Sequence, residues 1–297
     1  MNRSTIAALL TLASAASAEA PATTADLSPG LQIGQKGSWV VTRTVNETSK
    51  AIVAEGKSQF DTTLEFTTEV RAARGDGGTT VEIVFTRIAA EGEGTLWVGG
   101  YDSADPSTVD EKNPDDFDRA FHDIVGQPIE IAIDAFGLIT EVHGLESLQN
   151  RDPAAANLSE AVFGVDILDR SMGPIFALKP ETPYTVAVGE TFEDTCDSLL
   201  DVGRVLTRVD LTLASVKGST AELTLAGKTQ LLGVANTPVS PKISKQKVEG
   251  AATWNTAAHT LNAYNLTIDW AIEAGGKELP INVARAETIA IAPKPKK

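Results

Sequence analysis

The sequence predicts a mainly β (α+β) fold: a long antiparallel meander, internally duplicated, curled into a half-barrel or barrel-like sheet and covered by short helices. Three observations carry this expectation. Apolar and polar residues alternate at period two through one segment after another. Turns rich in Gly and Asp join those segments. The order of elements (strand, two-strand meander, closing hairpin) occurs twice, at residues 37–144 and again at 189–292. About a dozen antiparallel strands twist too strongly to stay one flat sheet, so they curl.

The elements follow in order. Residues 1–18 carry Arg3, an apolar run from Ile6 to Leu12 and the small-x-small triplet ending at Ala18. This is the pattern of a signal peptide cleaved near Ala18. Its apolar run falls short of the roughly 20 residues that span a bilayer. An extracytoplasmic location, periplasmic or secreted, is therefore expected, with no stable membrane insertion. No cysteine follows the leader's apolar core, so no acyl anchor is expected. Residues 19–36, rich in Ala, Pro and Thr, read as a flexible N-terminal segment.

The first repeat, 37–144, opens on the β-branched stretch 39–45. It continues with alternation that sets Leu64, Phe66 and Val70, then Val81, Ile83 and Phe85, on one face. Residues 129–142 make the clearest hairpin: Ile129, Ile131 and Ile133 alternate, and Asp134 to Gly137 turn the chain. Within this repeat, residues 101–118 form an acidic loop, followed by Phe117, Phe121, Ile124 and Val125 at helical spacing. Residues 145–188 are a helical insert and crossover. Leu158, Val162, Val165 and Leu168 mark a helical face, which Pro153 and Gly164 confine to short pieces. The second repeat, 189–292, runs through strands near 205–216, 220–226, 247–254 and 261–270. A basic tail, 293–297, closes the chain. Residues 37–292 thus read as a single β-rich domain.

Charge and composition exclude several functions. The formal charge is −15, and loss of Arg3 with the leader takes it to −16. Such a chain repels nucleic-acid phosphates and anionic headgroups. It leaves a solvated surface, or a cationic partner or calcium, as the meaning of the acidity. The acidic loop lacks the glycine and terminal glutamate of an EF-hand loop. Cys196 is the one cysteine, so no intrachain disulfide can form. Glu193, Asp194 and Asp197 beside it should raise its pKa, leaving a small packing residue. His122, His143 and His259 have no metal-ligand spacing, and the chain holds no catalytic or cofactor motif. Neither catalytic residues, metal ligands nor cofactors are assigned. The pair His122–Asp123 leaves a carboxylate- and His-dependent hydrolase as the alternative, tested by whether a cleft gathers His122 with two buried carboxylates.

Tyr101 to Ser103, followed by residues 125–144 with Asp134, Gly137, Val142 and Gly144 in fixed spacing, resembles a pattern in uncharacterised exported bacterial proteins grouped as a domain of unknown function. That resemblance implies export and brings no activity. In architecture, a curved meander with covering helices is similar to the half-barrel carriers of lipoproteins in the bacterial envelope.

The function expected is a non-catalytic, exported binding protein for an apolar small molecule or lipid, or for an envelope protein, held in the concavity of the sheet. Trp97, Phe117, Phe121, Trp254 and Trp270 are its candidate lining residues, with ordinary core packing as the other reading of the tryptophans. A purely structural envelope protein is the third alternative, favoured by a sheet interior with no cavity.

Overall fold

The computed structural model describes residues 22–51, 54–95, 98–109, 114–145, 153–178, 182–200, 203–232, 241–274 and 281–295. The leader and Trp97 lie outside the described residues.

The first half of the chain contributes β1 (Thr24–Asp26), β2 (Lys36–Ala51), β3 (Ala54–Ala73), β4 (Thr79–Gly94), β5 (Gly99–Asp102), α1 (Asp116–Phe121), β6 (Pro128–Ile133) and β7 (Ile139–His143). Two helices follow, α2 (Pro153–Phe163) and α3 (Val165–Phe176). The second half adds β8 (Thr185–Ala187), β9 (Thr191–Leu200), β10 (Gly203–Lys217), β11 (Thr220–Leu232), β12 (Lys242–Asn255), β13 (Thr260–Ala274) and β14 (Ile281–Pro293). Twelve strands form one sheet in the order β7-β6-β4-β3-β2-β14-β13-β12-β11-β10-β9, with β5 beside β4. Neighbouring strands pair antiparallel, including β2 with β14 at the centre of the sheet. The chain thus starts at the centre, meanders to the β7 edge, crosses through α2 and α3 to the β9 edge, and meanders back.

Alternation places one side chain in two on the inner face. In β2 these are Trp39, Val41, Arg43 and Val45. In β13 they are Tyr264, Leu266, Ile268, Trp270 and Ile272. The β2–β3 register aligns Trp39 with Phe66 and Val41 with Leu64, so the inner faces are continuous across strands. Helix α1 packs on α2 and β5, and α3 packs on β7, β13, β14 and β2. The helices occupy the concavity of the curled sheet, and the core is the layer between the two.

The sheet does not close into a barrel: its end strands are β7 and β9. Helix α3 packs across β2, β14 and β13 and on β7, and its C-terminal end meets the β6–β7 turn at Ala177. The two edges approach one another there, because Gly137 and Leu138 from the β6–β7 turn share a small cavity with Asp194 of β9 and Leu211 of β10. In that turn Asp134 accepts hydrogen bonds from the backbone N–H of Phe136 (2.8 Å) and Leu138 (3.0 Å), while Gly137 has φ +94°.

Two stretches differ from expectation. Within the N-terminal segment read as flexible, β1 pairs with β8, and Ala25 and Leu27 are buried. Two inward apolar residues suffice because Val186 meets them, a match too short to show as periodicity. Residues 173–176 belong to the stretch 173–188, whose three prolines read as a tied crossover, yet they complete α3 with Pro174 inside it.

Candidate functional site

The four aromatic candidates among the described residues, Phe117, Phe121, Trp254 and Trp270, are buried. Helix α1 begins with a capping box in which Asp115 accepts from the Asp118 N–H at 2.8 Å. This short helix turns Phe117 (2% exposed) and Phe121 (0%) inward. Their ring centroids lie 6.1 Å apart, and Phe121 is 6.0 Å from both Tyr101 and Phe163. Trp254 on β12 and Trp270 on β13 are equally buried, in the other half of the sheet. Phe117 and Phe121 come together, while the two tryptophans stand in strands away from them. None of the four lines a cavity described below.

His122 is exposed and borders a cavity of about 620 Å³ that reaches Leu145, where the described chain breaks off. Asp123 is the one carboxylate among its lining residues. The buried carboxylates Asp118 and Glu287 lie elsewhere, so the arrangement expected of a His122-centred hydrolase is not assembled there. Among the described residues no group of three or more His, Cys, Asp and Glu side chains can hold a metal ion.

An ion cluster lies between the helical cover and the sheet. Glu287 of β14 is 3% exposed. It accepts from Arg43 Nε of β2 at 2.7 Å, from Arg170 Nη1 of α3 at 3.0 Å and from Arg285 Nη2 at 3.2 Å. Arg43 Nη1 also donates to the Ala161 carbonyl of α2 at 2.9 Å. Arg170 donates to the Asp197 carbonyl of β9. Burial alone would raise the Glu287 carboxyl, but the three guanidinium groups overcome it and hold the carboxyl down to about 2. The same burial pulls Arg43 downward, yet a guanidinium starts so far above neutrality that it stays charged. The cluster therefore fastens α2 and α3 to the sheet.

Another open space lies on the β9 flank of α3. A cleft of about 220 Å³ has Asp166, Asp169, Arg170 and Pro174 of α3 on one side and residues 194–197 of β9 on the other, with Val209, Tyr264 and Leu266 as its floor. The smaller cavity at the β6–β7 turn shares Asp169, Pro174, Asp194 and Tyr264 with it, so the two follow one seam. Asp169 accepts from the Ile139 N–H at 2.9 Å, which ties α3 to the β7 edge. Burial pushes the Asp169 carboxyl up. Asp194 rises to about 6 because of desolvation by the protein around the cleft, helped by the Asp169 charge. Its side chain still meets solvent, so screening reduces that rise. Cys196 is pushed up to about 11, first by burial and then by Glu287 and Asp194, against the pull of Arg170. The direction agrees with the sequence reading; the main cause is burial rather than the acidic neighbours. A thiol so raised is a poor nucleophile at neutral pH.

Sequence reasoning missed Arg43, Glu287, Asp194 and Tyr264. Arg43 is in phase with Trp39, Val41 and Val45, and Glu287 is in phase with Ile289 and Ile291. A charged residue on the inner phase of a strand was the available signal.

No family model matches the chain, and no curated protein matches it. Among solved structures, one described for lipid–protein interactions in lipovitellin aligns with TM-score 0.42 at 10% identity, covering 89% of this chain. This chain spans 25% of the lipovitellin chain's length. The Pseudomonas aeruginosa protein OccK5 (OpdH) aligns with TM-score 0.23 at 6% identity over 90% of this chain and 100% of that one. A BenF-like porin from Pseudomonas fluorescens Pf-5 gives 0.18 at 4% identity, over 88% of this chain and 100% of that one. Likeness at this level carries nothing about function.

Proposed function

We propose that this chain is an exported, non-catalytic binding protein whose ligand seats at the open seam of its sheet, between α3 and β9, with its apolar part against Val209, Leu266 and Tyr264. The observation that supports this most is the strand order: β7 and β9 stand at the two ends of one sheet, and the cleft lies between α3 and the β9 edge. The seat lies apart from Phe117, Phe121, Trp254 and Trp270, which are buried and border none of the described cavities. Export is the part of the reading that rests on residues 1–18 and on the resemblance of residues 101–144 to exported proteins.

The test is titration of the purified protein with Nile red, a neutral lipophilic dye. Saturable one-site binding is expected, and Cys196→Trp, which fills the cleft, should abolish it while leaving the circular dichroism spectrum unchanged. Absence of saturable binding, or binding that Cys196→Trp leaves intact, overturns the seam as the seat. The burial of those four aromatic residues favours a second reading, a structural envelope protein, and the absence of dye binding is its expected outcome.

A further inference from the structure

We propose that Asp169 and Arg170 of α3, with Asp194 of β9, guard the two end strands of the sheet against a strand from a second copy of this chain. The inference stands apart from the binding reading above and is tested without a ligand.

An open sheet ends in strands whose outer backbone N–H and C=O groups form a template for a strand of another chain. Among the described residues β7 pairs with β6 alone and β9 with β10 alone. In β7 the Ile139 N–H donates to the Asp169 carboxylate at 2.9 Å. In β9 the Asp197 carbonyl accepts from Arg170, and the Thr195 N–H donates to the Asp194 carboxylate at 2.8 Å. Thr195 and Asp197 are two apart, so their backbone groups point to the same side of the strand. Arg170 reaches that side from α3. Two consecutive residues of one helix thus engage a donor on one end strand and an acceptor on the other, as a neighbouring strand would.

The make-up of the two strands points the same way. β7 has five residues, and a short edge offers an incoming strand few bonds. β9 has ten, and the contacts of Thr195 and Asp197 both fall on it. β9 also carries Glu193, Asp194 and Asp197 with no basic residue, while β7 carries Glu141. Like charges set opposite one another destabilise a strand pair. A second β9 or a second β7 is therefore a poor partner for β9, and the capped backbone groups leave it less to bind.

The test is sedimentation velocity of the full protein at pH 7 over a series of concentrations. The wild type should sediment as a monomer throughout. Asp169→Ala/Asp194→Ala, which frees the Ile139 and Thr195 N–H groups, should form dimers and larger species as concentration rises, with hydrogen–deuterium exchange slowed at residues 139–143 and 191–200. Arg170 is kept, because its loss would also take a partner from Glu287. Two further variants separate strand pairing from simple instability. Asp169→Asn/Asp194→Asn keeps an acceptor oxygen at both positions and should remain monomeric. Thr195→Pro added to the alanine variant removes the freed N–H, which serves Asp194 in the wild type, and should restore the monomer, because proline is tolerated on an edge strand and offers no donor. The inference falls if the alanine variant stays monomeric, if Thr195→Pro leaves its association unchanged, or if the asparagine variant associates as strongly. A wild type already joined through residues 139–143 or 191–200 contradicts it as well.

Discussion

Glu287 occupies a position where the alternation of β14 calls for an apolar side chain, and three arginines meet it there. Removing one member of a buried ion cluster leaves the others uncompensated, at a cost of about 3–5 kcal/mol. Glu287→Gln should lower stability by that amount at pH 7 in urea denaturation; equal midpoints would contradict it. The pH sign follows from its carboxyl, held down to about 2 in the fold against about 4.3 in an unfolded chain. A depressed folded value favours the fold above about 4.3, and the contribution is lost as pH falls from there through 2. The gap between wild type and variant should narrow over that window. Phe121 behaves differently: Phe121→Ala should cost about 3–5 kcal/mol as a core cavity and leave dye affinity at the seam unchanged in urea-free titrations. That the sequence left packing and lining unseparated at Phe121 has a physical cause. A core residue and a cavity wall are both apolar and inward-facing, and periodicity reports the facing alone. The charged residues on inward phases, Arg43 and Glu287, were the legible anomaly.

At the scale of the element, local chemistry was readable wherever a few adjacent residues decide the outcome. The hairpin of β6 and β7 was legible because Asp134 and Gly137 set its turn within five residues. Gly137 is doubly constrained: φ is +94°, and an added Cβ would lie 2.3 Å from Ala177 Cβ at the end of α3. Gly137→Ala should therefore destabilise by more than about 1 kcal/mol, read as a lower melting temperature. An unchanged melting temperature would mean that the turn and α3 do not meet as described. Strand β1 was illegible for the opposite reason. Its three residues hold too little pattern, and its partner β8 lies far along the chain. The capping box of α1 was also overlooked, because Asp115 and Asp118 sit in an acidic loop where neither stands out. Asp115→Ala should cost about 1 kcal/mol, measured in the same melts.

For the whole molecule, the long antiparallel meander and its covering helices were legible, since antiparallel neighbours follow one another in sequence. What lies between the first and last strands was not. Whether the β7 edge meets the β9 edge depends on curvature summed over twelve strands, and no local pattern encodes it. That gap decides the functional reading. A closed barrel would hide its ligand inside, whereas this sheet has a seam with an acidic, partly apolar cleft beside α3. The measurement that bears most directly on this account is hydrogen–deuterium exchange of the full protein with and without Nile red. Protection confined to residues 165–176 and 191–200 is the expected result. Protection at residues 116–121 or 254–270, with none along the seam, would contradict it.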